Sequence, residues 1–292
     1  MVKPMLSICI ETSKVLNMRM TTIISALLAS LSGCGGGGTS DSPPTTNNII
    51  AVTSSAEVAL NCVDWKFISS GDTAVENNIW GYRRATFTDW YQCVGIGTTP
   101  NGDTVGRWSW DWKNEPASGI KAYPEIIYGK KPAKPSTNIK LPIKVQDIHE
   151  MSLELDYVTA ATGEYQMLID LWITSTDNAS TWSTPPVTRE IMINIEKTNY
   201  CEPIPLCELY TIGGRPWGVN VQDVPGSWQR IQFNTPVLLT GHNTFDLKAF
   251  LDHLKSIGQL HDHEYVSSIE FGTEIYSGQG ETRINKFRVN VK

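Results

Sequence analysis

The sequence lacks the short motifs that mark several large enzyme classes. It contains no glycine-rich phosphate loop, no GxSxG elbow and no HExxH pair, so kinase, serine-esterase and zinc-protease activities have no support. The cysteines include no CxxC pair, which is the usual spacing in structural zinc sites. His261-Asp262-His263 supplies two imidazoles without a third implied ligand, and we expect it to face solvent in a loop. We therefore expect no metal and no cofactor.

Charge is also scarce. Only 18% of the residues are charged, the formal net charge is −6, and the chain has no long basic run. Proteins that bind nucleic acid generally present clustered basic residues. The composition therefore argues against nucleic acid as a partner.

The apolar runs are too short to span a bilayer as a helix. One of them, from Ile23 to Leu31, follows the basic segment Met18-Arg19-Met20 and is typical of the hydrophobic region of a signal peptide. It ends in Leu31-Ser32-Gly33-Cys34, which resembles a bacterial lipobox. In a lipobox, Cys34 is lipidated and becomes the mature N-terminus. An ordinary signal peptide is the alternative.

This beginning predicts three segments. Residues 1–33 are a signal peptide, in which residues 1–17 precede a start at Met18 or Met20 and can be an over-extended reading frame. Residues 34–54 are a Gly/Ser/Thr/Pro tether, and residues 55–292 are the folded domain. We expect an exported protein that is held at the outer membrane or cell surface by lipid on Cys34, with secretion as the alternative.

The cysteine count agrees with export. Once Cys9 in the leader and Cys34 are set aside, an even number remains, which suits disulfides in an oxidising compartment. These cysteines are Cys62, Cys93, Cys201 and Cys207. Proximity in the sequence favours the pairs 62–93 and 201–207.

The folded part is rich in aromatic and turn-forming residues. The chain holds 10 Trp, 10 Tyr, 23 Gly and 16 Pro, and apolar and polar residues alternate from about Ser55 onwards. This pattern predicts one large all-β domain, and we expect a monomer. One helix is predicted from about Thr244 to Ile257, with Asn243 or Thr244 as its cap and Gly258 at its end.

Three strands place an acidic residue opposite an aliphatic row. In Arg189–Ile195, the side chains of Glu190, Met192 and Asn194 lie on the face opposite three isoleucines. The segment from Ile269 to Tyr276 places Glu270 and Glu274 in the same way, and Leu168–Thr174 does so with Asp170. Acidic residues on such faces are often simply solvated. Two carboxylates that face each other across a groove are instead the machinery of glycoside hydrolysis.

Four motifs favour the catalytic interpretation. Glu190-Ile191-Met192-Ile193 and Phe271-Gly272-Thr273-Glu274 resemble the two active-site strands of glycoside hydrolase family 12. Glu76-Asn77-Asn78-Ile79-Trp80-Gly81 and Asp170-Leu171-Trp172 are similar to two further motifs of that family. The resemblance implies a β-jelly roll, in which two packed, curved antiparallel sheets form a concave substrate cleft and one helix lies on the convex side. It also implies the Cys62–Cys93 disulfide.

The resemblance implies a role for each site residue. Glu190 is expected to be the nucleophile, Glu274 the acid/base, and Asp170 the residue that orients Glu190, in a retaining hydrolase of β-1,4-glucans such as xyloglucan, mixed-linkage β-glucan and cellulose derivatives. Substrate-binding residues are expected at Trp65, Asn78, Trp80, Trp110, Trp112 and Met192. For the row Trp108, Trp110 and Trp112, we expect one or two indoles to face sugar and the rest to pack inside.

The chain departs from the family pattern beside the nucleophile. Arg189 stands where members usually carry Tyr, and Asn194 where they usually carry Trp. The loop from Cys201 to Cys207 lacks the usual glycines. These departures leave open which glucan is preferred, including specificity for xyloglucan.

Two functions of other classes remain as alternatives. One is a non-catalytic glucan-binding protein at the cell surface, and the other is a purely structural surface lipoprotein. A binding module has no need of two carboxylates on facing strands, and the tryptophan row disfavours a structural protein.

Overall fold

The computed structural model describes residues 57–113, 119–197 and 209–292. The predicted signal peptide, tether and lipidated Cys34, and the predicted pair Cys201–Cys207, lie outside these ranges. The described ranges contain the strands β1 (Phe67–Ser70), β2 (Thr73–Glu76), β3 (Tyr91–Thr98), β4 (Thr104–Asp111), β5 (Glu125–Gly129), β6 (Ile143–Lys144), β7 (Met151–Thr162), β8 (Tyr165–Thr174), β9 (Val187–Lys197), β10 (Leu209–Ile212), β11 (Arg215–Asp223), β12 (Gln229–Asn234), β13 (Gly241–Asp246), β14 (Tyr265–Ile275) and β15 (Gln279–Val291), and the helix α1 (Leu247–Ser256).

The strands form two sheets. The larger has 10 strands in the order β1-β2-β5-β14-β8-β9-β12-β11-β10, with β6 paired to β14. The smaller has five strands in the order β13-β7-β15-β4-β3. The pairings are antiparallel except that between β9 and β12, which is parallel. The predicted all-β jelly roll with one helix is confirmed.

The core lies between the sheets, where the two-residue period of the strands places the aliphatic rows. Ile191, Ile193 and Ile195 of β9 are buried in one cluster with Ile269 and Phe271 of β14. The opposite side chains of β8, β9 and β14 occupy the other face of the ten-stranded sheet, which we call the cleft face. The three acidic strands were therefore predicted with the correct face on the core.

The tryptophan row, with Trp108 and Trp110 in β4 and Trp112 directly after it, is part of this core. Trp108, Trp110 and Trp112 are fully buried, while Arg107, Ser109 and Asp111 alternate with them and are partly exposed. Trp108 Nε1 donates to Thr273 Oγ1 at 2.8 Å, and Trp112 stacks on Trp90 with ring centroids 4.3 Å apart. The prediction that Trp110 and Trp112 bind sugar is wrong, because β4 belongs to the smaller sheet and its indoles point between the sheets.

The helix begins later than predicted. Asn243 and Thr244 are still in β13, and Asp246 caps α1 by accepting a hydrogen bond from Ala249 N at 3.1 Å. Gly258, with φ +72°, follows the helix as predicted. Phe250 packs edge-on against Trp217 of β11 and Phe233 of β12, with centroids 5.0 and 4.9 Å apart. None of the helices in the described ranges is long and apolar enough to cross a membrane.

A disulfide joins Cys62 to Cys93. Cys93 lies in β3, and the backbone of Asn61 pairs with Val94 beside it, with N–O distances of 2.8 and 2.9 Å. The bond therefore ties the segment before β1 to the smaller sheet. The predicted pairing of these cysteines is confirmed.

Arg189 links β9 to the beginning of β14. Its guanidinium pairs with the buried carboxylate of Glu264. The same carboxylate accepts from Thr188 Oγ1 at 2.8 Å and from His261 N at 3.0 Å. The loop that contains His261 and His263 is thus held through its backbone, and the two imidazoles stack with centroids 5.7 Å apart.

We expect Arg189→Ala to destabilise the domain, because the Glu264 carboxylate remains buried without its cation. Loss of one partner of a buried pair generally costs about 3–5 kcal/mol. Urea unfolding followed by fluorescence measures the change. Arg283→Ala is the matched control: its pair with Glu281 is half exposed and is worth at most about 1 kcal/mol. Equal losses for the two variants would contradict the role of Arg189.

Candidate active site

The cleft face has β8 at its centre. Asp170 is directly opposite Glu270 of β14 on one side and Met192 of β9 on the other. Glu190 is opposite Trp172, one step further along β8. Opposite residues of antiparallel strands share a face, so the register brings Asp170 and Glu190 together with Glu270.

Glu190 is partly exposed on this face and is held by Trp228, the residue directly before β12. Trp228 Nε1 donates to Glu190 Oε2 at 3.0 Å, and Arg230 of β12 is in register with Glu190. Burial raises the pKa of Glu190 above its ordinary value, while the Trp228 hydrogen bond and the Arg230 charge oppose that rise. The Trp228 hydrogen bond and the Arg230 charge therefore favour the ionised form of Glu190.

Glu274 lies at another level of the same face. It is buried, it is opposite Gln166, and Gln166 Nε2 donates to Glu274 Oε2. Along β8, Glu274 and Glu190 are displaced to opposite sides of Asp170. The register thus places the two predicted catalytic carboxyls on strands that flank β8, and it does not place them directly opposite each other.

The charges of both Glu190 and Glu274 affect the pKa of Asp170. Burial raises its pKa well above the ordinary value, and the charges of Glu190, Glu270, Glu125 and Glu274 raise it further. Burial and the neighbouring negative charges therefore favour the protonated form of Asp170. A protonated carboxyl can donate a hydrogen bond to a neighbouring carboxylate, which is the chemistry needed to orient Glu190.

A small apolar patch forms the floor beside these acids. Met192 packs with Tyr123 and Leu168 in a cluster separate from the main core. The Tyr123 ring lies across Gly272, where a Cβ atom would stand only 2.5 Å from the ring. Glycine in the Phe271–Glu274 motif is thus required for the ring to lie over β14. Met192 is in the position predicted for it, on the cleft face beside Asp170.

Three further acids surround a buried lysine. Lys131 Nζ lies 3.2 Å from Glu76 and 3.7 Å from Glu270, and it also pairs with Glu125. All four side chains are buried. Sequence analysis missed this cluster because Lys131 falls in a Pro- and Lys-rich loop, where lysine is normally solvated. The available signal was Glu76, the first residue of the Glu76–Gly81 motif.

The lysine remains charged in this position. Burial alone lowers the pKa of Lys131, but the carboxylates of Glu125, Glu270 and Glu76 together raise it above the ordinary value. Burial also raises the pKa of Glu125, against the opposing charge of Lys131. The Lys131 charge in turn lowers the pKa of Glu190. The cluster therefore influences the ionisation of the predicted nucleophile.

The other predicted substrate-binding residues differ in how far their side chains are exposed to a ligand. Trp65 and Trp80 are 43% and 44% exposed, and the Arg84 guanidinium covers one face of Trp80 at 4.5 Å. Asn78 is buried, with Nδ2 donating to Glu125 Oε1 and Oδ1 accepting from Trp80 N, both at 3.1 Å. The tryptophans can therefore stack on sugar, whereas Asn78 mainly holds Glu125 and the turn before Trp80.

The chemistry available on this face is that of carboxyl groups. It combines Glu190, Asp170 and the further acids Glu270 and Glu274, next to the apolar patch of Met192, Tyr123 and Leu168. Among the described residues, no group of three or more His, Cys, Asp and Glu side chains is arranged to hold a metal ion. Proton transfer and nucleophilic attack by carboxyl groups are what such a site can perform.

Comparison with known proteins agrees with this chemistry. The model of glycosyl hydrolase family 12 matches residues 71–292. Endoglucanase S from Pectobacterium parmentieri is 30% identical over 250 residues, which cover 83% of this chain and 90% of that protein. A probable xyloglucan-specific endo-beta-1,4-glucanase A from Aspergillus clavatus is 26% identical over 251 residues, 82% of this chain and 94% of its own length.

Solved structures give the same result. A family 12 xyloglucanase from Bacillus licheniformis, in complex with ligand, superposes with a TM-score of 0.69 at 25% identity and covers 80% of this chain and 100% of its own. The endoglucanase Cel12A from Rhodothermus marinus shares the fold with a TM-score of 0.68. With its two sheets, its acidic cleft face and a family match over most of its length, the chain belongs to glycoside hydrolase family 12.

Proposed function

We propose that this enzyme cleaves β-1,4-glucans internally and with retention of configuration. The observation that carries the proposal is the placement of Glu190 and Glu274 on one face, on the two strands that flank Asp170. Retaining glycosidases use one carboxylate as nucleophile and a second carboxyl as acid and then base. The names of the relatives, endoglucanase and xyloglucan-specific glucanase, support the substrate class.

The reaction has two steps. In the first, Glu190 attacks the anomeric carbon to form a glycosyl ester, and the proton of Glu274 goes to the leaving glycosidic oxygen. In the second, Glu274 takes a proton from water, whose oxygen displaces Glu190 from the anomeric carbon and releases the sugar. Each inversion cancels the other, so the configuration is retained.

The residues around Glu190 hold it ready for attack. Trp228 fixes one carboxylate oxygen from the side of β12. Asp170 of β8 orients Glu190 through its protonated form, which burial and the neighbouring charges favour, and Met192 packs beneath the sugar ring. The Trp228 hydrogen bond and the charges of Arg230 and Lys131 favour the ionised form of Glu190.

The proposed substrates include xyloglucan, mixed-linkage β-glucan and cellulose derivatives. Asn194 Nδ2 donates to Asn234 Oδ1 at 2.8 Å, so this corner of the cleft is lined by amides where family members usually carry an indole. A smaller polar side chain leaves room for a branched glucan. A glucan-binding protein without activity is less well supported, since binding alone gives no reason to bury several acids.

Glu190→Ala should lower cleavage of β-glucan and xyloglucan by about 10⁴-fold or more, because it removes the nucleophile. Ile191 and Ile193 face the other way, so the fold should persist. Azide with an activated aryl β-glycoside should restore turnover and give a glycosyl azide of inverted configuration, identified by NMR. Full activity of the variant on natural glucans would refute the assignment.

Glu274→Ala should keep the first step on an activated aryl glycoside, because such a leaving group needs little protonation. Azide should then give a product of retained configuration. Glu270→Gln is the matched control, since Glu270 lies on the same strand and face, directly opposite Asp170. If Glu270→Gln showed this rescue and Glu274→Ala did not, Glu270 would be the acid/base.

Trp228→Phe should move the acidic limb of the kcat/KM profile to higher pH. The variant loses the hydrogen bond that lowers the pKa of Glu190. That pKa then rises further, so less of the nucleophile is ionised at a given acidic pH. Trp65→Phe should leave the limb where it is. An unchanged acidic limb for Trp228→Phe would rule out this role of the hydrogen bond.

We also propose that the enzyme is anchored to a membrane by lipid on Cys34, at the outer membrane or cell surface. Cys34→Ala should shift the protein from the membrane fraction to the soluble fraction, because a single residue carries all the acyl chains. Cys9→Ala serves as the control and should leave fractionation unchanged. Retention of the Cys34 variant in membranes would exclude the lipobox.

A further inference from the structure

A cluster of three tryptophans lies next to Glu190. Trp172 makes edge-to-face contacts with Trp182 and Trp228, with centroids 4.7 and 5.1 Å apart, and Trp182 and Trp228 are 5.9 Å apart. Trp172 is buried, whereas Trp182 is 36% exposed. Trp182 thus presents an open indole surface whose position is fixed by two other rings.

The loop that carries Trp182 is tied to the loop after β5. Ala133 N donates to Ala179 O at 3.2 Å, and Ala179 is completely buried. From the same loop, Lys131 Nζ lies 5.9 Å from the centre of the Trp182 ring. The base of the loop is closed by Ser175 N, which donates to Pro186 O at 2.8 Å. An exposed tryptophan held by so many contacts is ordered in advance of any ligand.

The three tryptophans also have a defined position relative to the predicted nucleophile, Glu190. Trp172 is directly opposite Glu190 in the sheet, and Trp228 donates to the Glu190 carboxylate. The exposed surface of Trp182 therefore borders the part of the cleft where the bond is broken. An indole face suits the apolar C–H face of a pyranose ring, as it suits other flat apolar surfaces.

We propose that Trp182 is a sugar-stacking residue that binds a pyranose ring of the substrate next to the scissile bond. This inference rests on the proposed glucanase function and extends it, by adding a binding residue beyond Trp65 and Trp80. The pyranose can be a glucosyl unit of the main chain or a xylosyl branch. Both present the same C–H face, and the choice of oligosaccharide separates them.

The experiment measures binding in a variant that does not cleave. Glu190→Gln keeps an oxygen that accepts from Trp228, and its affinity for cello-oligosaccharides and xyloglucan oligosaccharides is measured by calorimetry. Adding Trp182→Ala should raise Kd by about tenfold, the scale expected for one lost stacking surface. Adding Trp182→Phe should restore most of the affinity, since a ring remains. Weaker binding of both ligands would show that Trp182 stacks on a glucosyl unit of the main chain. Weaker binding of xyloglucan oligosaccharides alone would show that it stacks on a xylosyl branch.

Tyr91→Ala is the matched control, because Tyr91 is an exposed aromatic residue on the smaller sheet, and it should leave Kd unchanged. If Trp182→Ala bound both ligands as tightly as the Glu190→Gln parent, the Trp182 inference would be overturned while the glucanase function stood. If the parent bound neither ligand, the proposed function would fail, and the role of Trp182 with it.

Discussion

The cleft face depends on one buried cation. Glu76, Glu125 and Glu270 come from three neighbouring strands, β2, β5 and β14, and each reaches Lys131. Buried carboxylates without a cation would repel one another and lose their hydration. Lys131 therefore allows these three carboxylates to be buried together, and the carboxylates in turn keep the lysine charged.

The same short loop also arranges the aromatic edge of the cleft. Lys134, three residues after Lys131, pairs with Glu76 and lies 5.8 Å from the Trp65 ring, while Lys131 lies below Trp182. Two exposed indoles from different loops thus lie close to two lysines of one loop. The same loop contacts both the exposed tryptophans and the buried carboxylates, so a change in this loop affects sugar binding and acid chemistry together.

The sequence predicted the strands and their buried faces better than it predicted how the strands pair and which sheet each one joins. The two-residue period placed Asp170, Glu190 and Glu274 on the face away from the core, because alternation is local. Trp110 and Trp112 were assigned to the cleft wrongly, since alternation shows that they share a side but not which sheet their strand joins. The loop position of Lys131 concealed its burial, which depends on carboxylates from distant strands. The register that sets Asp170 opposite Glu270 likewise follows from tertiary pairing.

Different influences act on the pKa values of Asp170 and Glu190 because their surroundings differ. Asp170 is buried between strands that both carry carboxylates, and four neighbouring acids raise its pKa. Glu190, one strand away, has the Trp228 N–H and the charges of Arg230 and Lys131 to stabilise its anion. Different neighbours thus favour the protonated form of Asp170 and support the ionised form of Glu190. This asymmetry arises from β12 and the loop after β5, neither of which contains a motif that resembles the family's active-site strands.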